Sequence, residues 1–283
     1  MQGIHVYGSP DPLHGTGQRR IQDVETHRAR SRVARLVAQV PAGVPTPVTS
    51  EPRIGKEFYD SSDYFEEGTV HLIDTESRFQ RYRINKVLSI HEPKPSDRVV
   101  DLGCGWGTFG FELADRVEEI IGIDFSEKSI EICKRRLEAD PRDRLRFVCA
   151  DGGDTGLEGA AYDVVIAADF FEHLYPDDSE RVAKEAYRLL RPGGRFSTWT
   201  PHRGHFLEAL KNRDIVLKRD VSHVDYKSME RMRALLVNQG FEIERAYYAE
   251  SHLPGLNVAE RLLQGFVPFL RRRIAVLGRK PGG

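Results

Sequence analysis

Residues 99–110 read VVDLGCGWGTFG, in which three glycines (Gly103, Gly105, Gly107) alternate with other residues directly behind an apolar run that carries an acid, Asp101. Glycines at a turn permit positive φ and let a ligand come up against the bare main chain. An apolar strand stopping at Leu102 would put this turn, with Cys104 in it, at the carboxyl edge of a sheet, and the following helix would aim its N-terminus at whatever sits there. About twenty residues further on, IIGID ends in Asp124, where a carboxylate can accept both hydroxyls of a ribose. Phe125 can lie along an adenine face. A third segment, FVCADG, ends in Asp151-Gly152, and Asp151 is placed to accept from an adenine amino group. Any one of these acids would serve as well as a helix cap or turn residue. Three strand ends in series with the right groups point to a nucleoside cofactor.

Gly105 to Gly110 also matches G-x-G-x-x-G, the dinucleotide fingerprint, but the register is wrong for it, because the strand stops at Leu102 and Gly103 is already the first turn residue. Read from Gly103, the pattern is D-x-G-x-G-x-G. A pyrophosphate gains nothing from a carboxylate two residues upstream, whereas an ammonium and a sulfonium do. The loop therefore favours a methyl donor over a hydride carrier. No Tyr-x-x-x-Lys or comparable hydride-transfer set accompanies it. A nicotinamide-dependent oxidoreductase and a non-catalytic cofactor-binding subunit stand as the alternatives.

Methyl transfer to a hydroxyl needs a base, and histidine suits neutral pH. His173, in FFEHL after a fourth apolar run, is the first candidate, with Glu172 beside it to raise its basicity. His202 and His205 in TPHRGH, and His223 in a later loop, are further candidates to touch the acceptor. Nitrogen or carbon acceptors need no such base. Asp169, Glu172, Asp177 and Asp178 offer hard oxygen ligands suited to Mg²⁺. Asp177, Asp178 and Ser179 read better as the start of a helix, where acids offset the dipole, so no metal is expected.

The elements that position these residues follow from hydrophobic periodicity. The pattern predicts strands at 98–102, 119–124, 145–150, 162–167, 194–199, 241–248 and 273–277, with helices at 78–90, 108–116, 127–139, 179–190, 229–238 and near 258–266. Continuous apolar strands alternating with helices make an α/β, doubly wound, Rossmann-like sheet covered on both faces.

From Val99 to Thr200 the sequence resembles the class I S-adenosylmethionine-dependent methyltransferases, especially those acting on small molecules, lipids and sugars. VVDLGCGWGTFG, IIGIDFS, FVCADG, YDVVIAADFFEHL and LLRPGGRFSTWTP carry the likeness. The resemblance implies a seven-stranded sheet, mostly parallel, whose last strand enters antiparallel between its neighbours. It assigns Asp101, Gly103, Cys104, Gly105 and Gly107 to the amino-acid part of S-adenosyl-L-methionine and Asp124 to the ribose. Phe125, Asp151 and Gly152 go to the adenine region, and Asp169 to the rim after the fourth strand. The expected reaction is methylation of a hydroxyl on a small-molecule or glycoconjugate acceptor, with N- or C-methylation as the other outcomes.

Residues 1–50 are rich in Arg and Pro and read as a disordered or loosely helical tail; Asp23 and Glu25 weigh against a targeting peptide. Residues 51–97 form a lid-and-helix segment, with FYDSSDYF (58–65) as the lid, ahead of the cofactor domain at 98–283. A net charge of −1 gives no sign of a nucleic-acid partner. Three cysteines, odd in number and far apart, no secretory h-region and no apolar run near the roughly 18 residues of a membrane span make the cytoplasm the expected location. The basic 203–219 stretch is expected over the crevice, favouring a polar acceptor. ERLLQGFVPFLRRR (260–273) is amphipathic and basic. Burial against the sheet is its expected fate, and peripheral contact with a membrane surface is the alternative.

Overall fold

Alternate residues of the first strand, Val99 and Val100, belong to two separate buried clusters, one on each face of the sheet. That split requires helices on both sides. The structure, a computed structural model, describes residues 53–61, 64–65, 74–202, 204–211, 220–251, 253 and 255–282. The tail read at 1–50 lies outside the described residues, as do Ser62 and Asp63 of the lid stretch and residues 203 and 212–219 of the basic stretch.

In chain order the elements are α1 (Lys56–Ser61), α2 (Arg78–Ile90), β1 (Arg98–Leu102), α3 (Thr108–Leu113), β2 (Glu119–Asp124), α4 (Glu127–Ala139), β3 (Leu145–Cys149), β4 (Tyr162–Ala168), α5 (Pro176–Leu189), β5 (Leu190–Pro201), α6 (Phe206–Lys211), α7 (Met229–Asn238), β6 (Glu242–Ala249), α8 (Leu256–Leu263) and β7 (Arg273–Arg279). The seven strands run in the order β3-β2-β1-β4-β5-β7-β6, with β7 antiparallel to both neighbours and the other pairings parallel. This is the α/β sheet expected, including the inserted last strand. The order reverses between β1 and β4, and the carboxyl ends there form the crevice in which such sheets bind ligands.

One face packs Ile84 and Leu88 of α2, Leu113 of α3 and Ile130 and Cys133 of α4 on Val99, Ile120 and Val164. The other packs Val182, Ala186 and Leu189 of α5 and Met232 and Leu236 of α7 on Val100, Ile121 and Val165. Helices α2, α4 and α7 start on Ser77, Ser126 and Ser228, whose side chains accept from backbone N–H groups of the first turn. Helix α5 begins earlier than its periodicity suggests because Pro176 starts its first turn, where a missing N–H costs nothing. Strand β5 is twice as long as expected: it starts at Leu190, opposite Tyr162 of β4, and runs on to Pro201, opposite Arg273 of β7.

The segment around α8 departs from expectation. Val258, Leu262, Leu263 and Phe266 are exposed, while the acid Glu260 is wholly buried against His205. The hydrogen-bonding partner inside the protein, not the apolar stripe, sets the rotation of this helix.

Gly107 has φ +73°, and a Cβ there would sit 2.7 Å from Cζ of the buried Phe147. Gly107→Ala combines left-handed strain with overpacking and should lower unfolding free energy by about 2–4 kcal/mol in a urea titration.

Candidate active site

The loop between β1 and α3 is held by a set of hydrogen bonds to β2 and α4. The N–H groups of Gly103 and Cys104 donate to the Ile123 carbonyl at 2.8 and 2.9 Å. The Gly105 N–H donates to Asp124 Oδ2 at 3.0 Å, and its carbonyl accepts from Ser129 Oγ (2.7 Å) and Cys133 Sγ (3.1 Å) of α4. Gly105 itself, at φ +53°, has no atom within 4 Å of where a Cβ would point, so its Cα faces open space. The Ser126 N–H occupies the other oxygen of Asp124 at 3.0 Å. Burial pushes the Asp124 carboxyl above its ordinary range, against these two N–H bonds.

Above the loop is a cavity of about 560 Å³. Of the residues expected to meet the cofactor, Gly103, Cys104, Gly105, Asp124, Phe125, Asp151, Gly152 and Asp169 line it. Gly107 and Asp101 do not. Gly107 makes room for Phe147 instead. Asp101 is 2% exposed, and its Oδ2 is buried with no hydrogen-bond partner. Burial raises this carboxyl to about 7, against the pull of Arg83. Asp151 Oδ1 accepts from the Gly153 N–H and Oδ2 from Arg181, both at 2.7 Å, so its carboxylate already has partners.

Asp169, on the cavity wall after β4, also holds two arginines. Its backbone takes φ 52° at the end of β4, a conformation Asp tolerates better than most residues. Its two oxygens then accept from Arg83 Nε of α2 (2.6 Å) and Arg273 Nη1 of β7 (2.8 Å). Burial alone would raise this carboxyl; Arg273 and Arg83 outweigh it and bring it to about 2. Arg83 and Arg273 both line the cavity, and neither lies in a motif. The only trace in the sequence is an arginine in the middle of a predicted helix and another at the start of a predicted strand.

Two of the three candidate bases are brought together. His173 sits in a single 3₁₀ turn, Phe171–His173, and its ring lies 4.8 Å from that of His223. The Ser222 carbonyl is 3.1 Å from His173 Nδ1, and since a carbonyl only accepts, that nitrogen carries the proton. Tyr59 Oη is 3.2 Å from the same nitrogen. His223 Nδ1 lies 2.8 Å from Tyr226 Oη, and its Nε2 lies 3.4 Å from Asp220. His202 is not brought to the cavity. β5 continues to Pro201 opposite Arg273, which carries His202 past the site to stack on Tyr248 at 5.2 Å. His205 is wholly buried with Glu260 and does not line the cavity either.

Glu172 is 1% exposed and accepts from Thr200 Oγ1 at 2.8 Å. Burial, reinforced by the Asp169 charge, raises it to about 8. Glu172, His173 and His223 each offer a potential ligand atom within 4.8 Å of the others. Nδ1 of His173 and both ring nitrogens of His223 lie near protein oxygens, so this group reads as a hydrogen-bonded cluster. Asp177 and Asp178 lie in the first turn of α5 and pair with Arg53, as helix-start acids do.

The lid stretch is built as a roof. Tyr59 packs 5.3 Å from Phe125 and 5.0 Å from Tyr64, and Tyr64, Phe65 and Trp106 continue the cluster. Asp60 accepts from Ser126 Oγ at 2.8 Å, pinning α1 to the start of α4.

Residues 99–194 match the family described as a methyltransferase domain. The residues on both strand-end loops lie inside this span. It is a class I S-adenosylmethionine-dependent methyltransferase domain. The chain is 34% identical over 140 residues to the 27-O-demethylrifamycin SV methyltransferase of Amycolatopsis mediterranei, covering 49% of this chain and 47% of that protein. It is 33% identical over 100 residues to the demethylmenaquinone methyltransferase of Lactococcus lactis, covering 34% and 39%. The chain thus spans about half or less of the length of these curated relatives. The fold is shared with Haemonchus contortus phosphoethanolamine N-methyltransferase 2, solved with phosphomonomethylethanolamine and S-adenosylhomocysteine, at a TM-score of 0.60 and 17% identity over 82% of this chain and 61% of that one.

The methyltransferase domain fits the cofactor of its family on its own geometry. The bare Gly105 backbone leaves room for a ligand on the cavity wall, and Asp124 with Phe125 suits a nucleoside. Replacing Asp124 with Ala should weaken S-adenosylhomocysteine binding at least tenfold in calorimetry, or about 1.4 kcal/mol.

Glu172 also sets a pH dependence. Its folded value, about 8, lies above the ordinary 4.5. The stability it contributes is fully present below 4.5 and lost as pH rises to 8. Between pH 5.5 and 8 the native chain should lose stability relative to Glu172→Gln by up to about 1.4 kcal/mol per pH unit in denaturant titrations, levelling off above pH 8.

Proposed function

We propose that this chain transfers a methyl group from S-adenosylmethionine to a hydroxyl oxygen of a small-molecule or glycoconjugate acceptor. The observation that carries this reading is His173. Its ring stands on the wall of the cofactor cavity beside the Ser222 carbonyl and the His223 ring, where an imidazole can take up a proton near neutral pH. S-adenosylmethionine, when bound, supplies a methyl carbon already activated for displacement.

The chain's own groups then divide the work. Asp101 balances the ammonium, and Arg83, held by Asp169, presents positive charge on the same face of the sheet to a carboxylate. Asp124 takes the ribose hydroxyls, with Phe125 and Trp106 beside the base. His173 Nε2 accepts the proton of the acceptor hydroxyl as that oxygen attacks. His223 and Tyr59 hold the imidazole in place, and the Tyr59–Tyr64–Phe65 roof excludes water from the reacting atoms. Arg273, on the acceptor side of Asp169, gives the cavity a cation to orient a polar acceptor. The 34% identity over 140 residues to the 27-O-demethylrifamycin SV methyltransferase supports an oxygen acceptor.

The acceptor can be found by incubating purified protein and methyl-labelled cofactor with small-molecule extracts and reading the product by mass spectrometry. With that acceptor, His173→Ala should lower kcat about 100-fold or more while S-adenosylhomocysteine affinity stays within twofold. A variant of native activity would remove the base role.

A further inference from the structure

Helix α8 and the turn that follows it are amphipathic the wrong way round for a helix that packs on a sheet. The side chain buried from α8 is an acid, Glu260, 0% exposed, with Oε1 3.0 Å from His205 Nε2 and Oε2 accepting from the Ser251 N–H. The apolar residues face outward instead. Val258 is 54% exposed, Leu262 68%, Leu263 46%, Phe266 88% and Phe269 56%. Most of the other described apolar residues of the chain are inside, so this run of large exposed side chains within twelve positions is a patch and not scatter.

The segment that carries the patch is basic. Between Ser251 and Arg273 the sequence holds a single acid, Glu260, and that one is sealed inside. Arg261 stands 64% exposed on α8, with one guanidinium nitrogen 2.7 Å from the buried Glu250, which also holds Lys86, so the group keeps a positive excess at the surface. Arg271 lies at the far end of the turn, half-buried, donating to the Gln264 carbonyl with its guanidinium 4.7 Å over the Tyr248 ring. Phenylalanine and leucine projecting from a short helix flanked by arginines is the composition of an element that lies in a lipid headgroup layer. An anionic lipid surface offers hydrocarbon to the side chains and phosphate to the arginines.

We propose that residues 258–271 dock this protein on anionic lipid bilayers, with Leu262, Phe266 and Phe269 entering the interface and Arg261 and Arg271 meeting the headgroups. The docking is peripheral. No described helix is long and apolar enough to cross a membrane. This inference rests on the outward face of α8 and not on the identity of the acceptor.

The test is co-sedimentation of the full chain with vesicles of phosphatidylcholine alone or mixed with phosphatidylglycerol. Binding should be at least tenfold tighter to the anionic vesicles and should weaken as salt is raised. The double variant L262D/F266D changes only exposed side chains. It should lose vesicle binding while keeping the native Tm and the native Tm shift with S-adenosylhomocysteine. Three results would overturn the proposal. These are no binding to anionic vesicles by the native chain, equal binding by the double variant, or a native dimer in light scattering that the double variant converts to monomer. The Tm shift separates a failed docking surface from a failed cofactor assignment.

Discussion

The carboxylate of Asp124 is the constraint on which the site depends. One oxygen holds the Gly105 N–H and the other the Ser126 N–H, so a single side chain at the end of β2 joins the glycine loop to the start of α4. Ser126 in turn caps α4, and Ser129 and Cys133 from that helix close on the Gly105 carbonyl. Both polar groups of the Gly105 peptide are thereby spent inside the protein. What the loop offers a ligand is its bare Cα surface, fixed before anything binds. Preorganisation of this sort keeps the entropy of ordering the loop out of the binding free energy.

A second set of charges extends the constraint across the sheet. Asp169 draws arginines from α2 and β7, elements about 190 residues apart in sequence, into one half-buried cluster on the cavity wall. Glu172 lies close enough to feel that charge and stays largely protonated near neutral pH, so one of two neighbouring acids is ionised and the other is not. Environments that push neighbouring carboxyls apart are a mark of functional sites.

Much of this was legible in the residues. The strand-end acids, the glycine spacing and the alternation of apolar runs fix the sheet and its crevice, because those signals are local and repeat. Helices α2, α4 and α7 fall where periodicity and serine caps place them. Arg83 and Arg273 were not legible, since each becomes functional only through a partner brought by tertiary folding. His202 shows the converse. Its spacing after β5 suited the crevice, but pairing with β7 lengthened the strand and swept the side chain past it. The outward face of α8 was hidden for the same reason: its apolar stripe reads as a packing face, and only the His205–Glu260 pair, across 55 positions, turns it over.

The insertion of β7 between β5 and β6 carries a consequence for biogenesis. In the sheet, β6 pairs only with β7, and β5 has an open edge until β7 fills it. As the chain leaves the ribosome, the β1–β5 part can assemble while β6 is already made yet has nowhere to dock. The segment Phe241–Ala249 must wait, exposed, for a strand synthesised about thirty residues later, and the same strand delivers Arg273. The interval before β7 emerges is therefore the period in which a nascent chain most needs chaperone protection, and in which cofactor could not yet be held in a completed cavity.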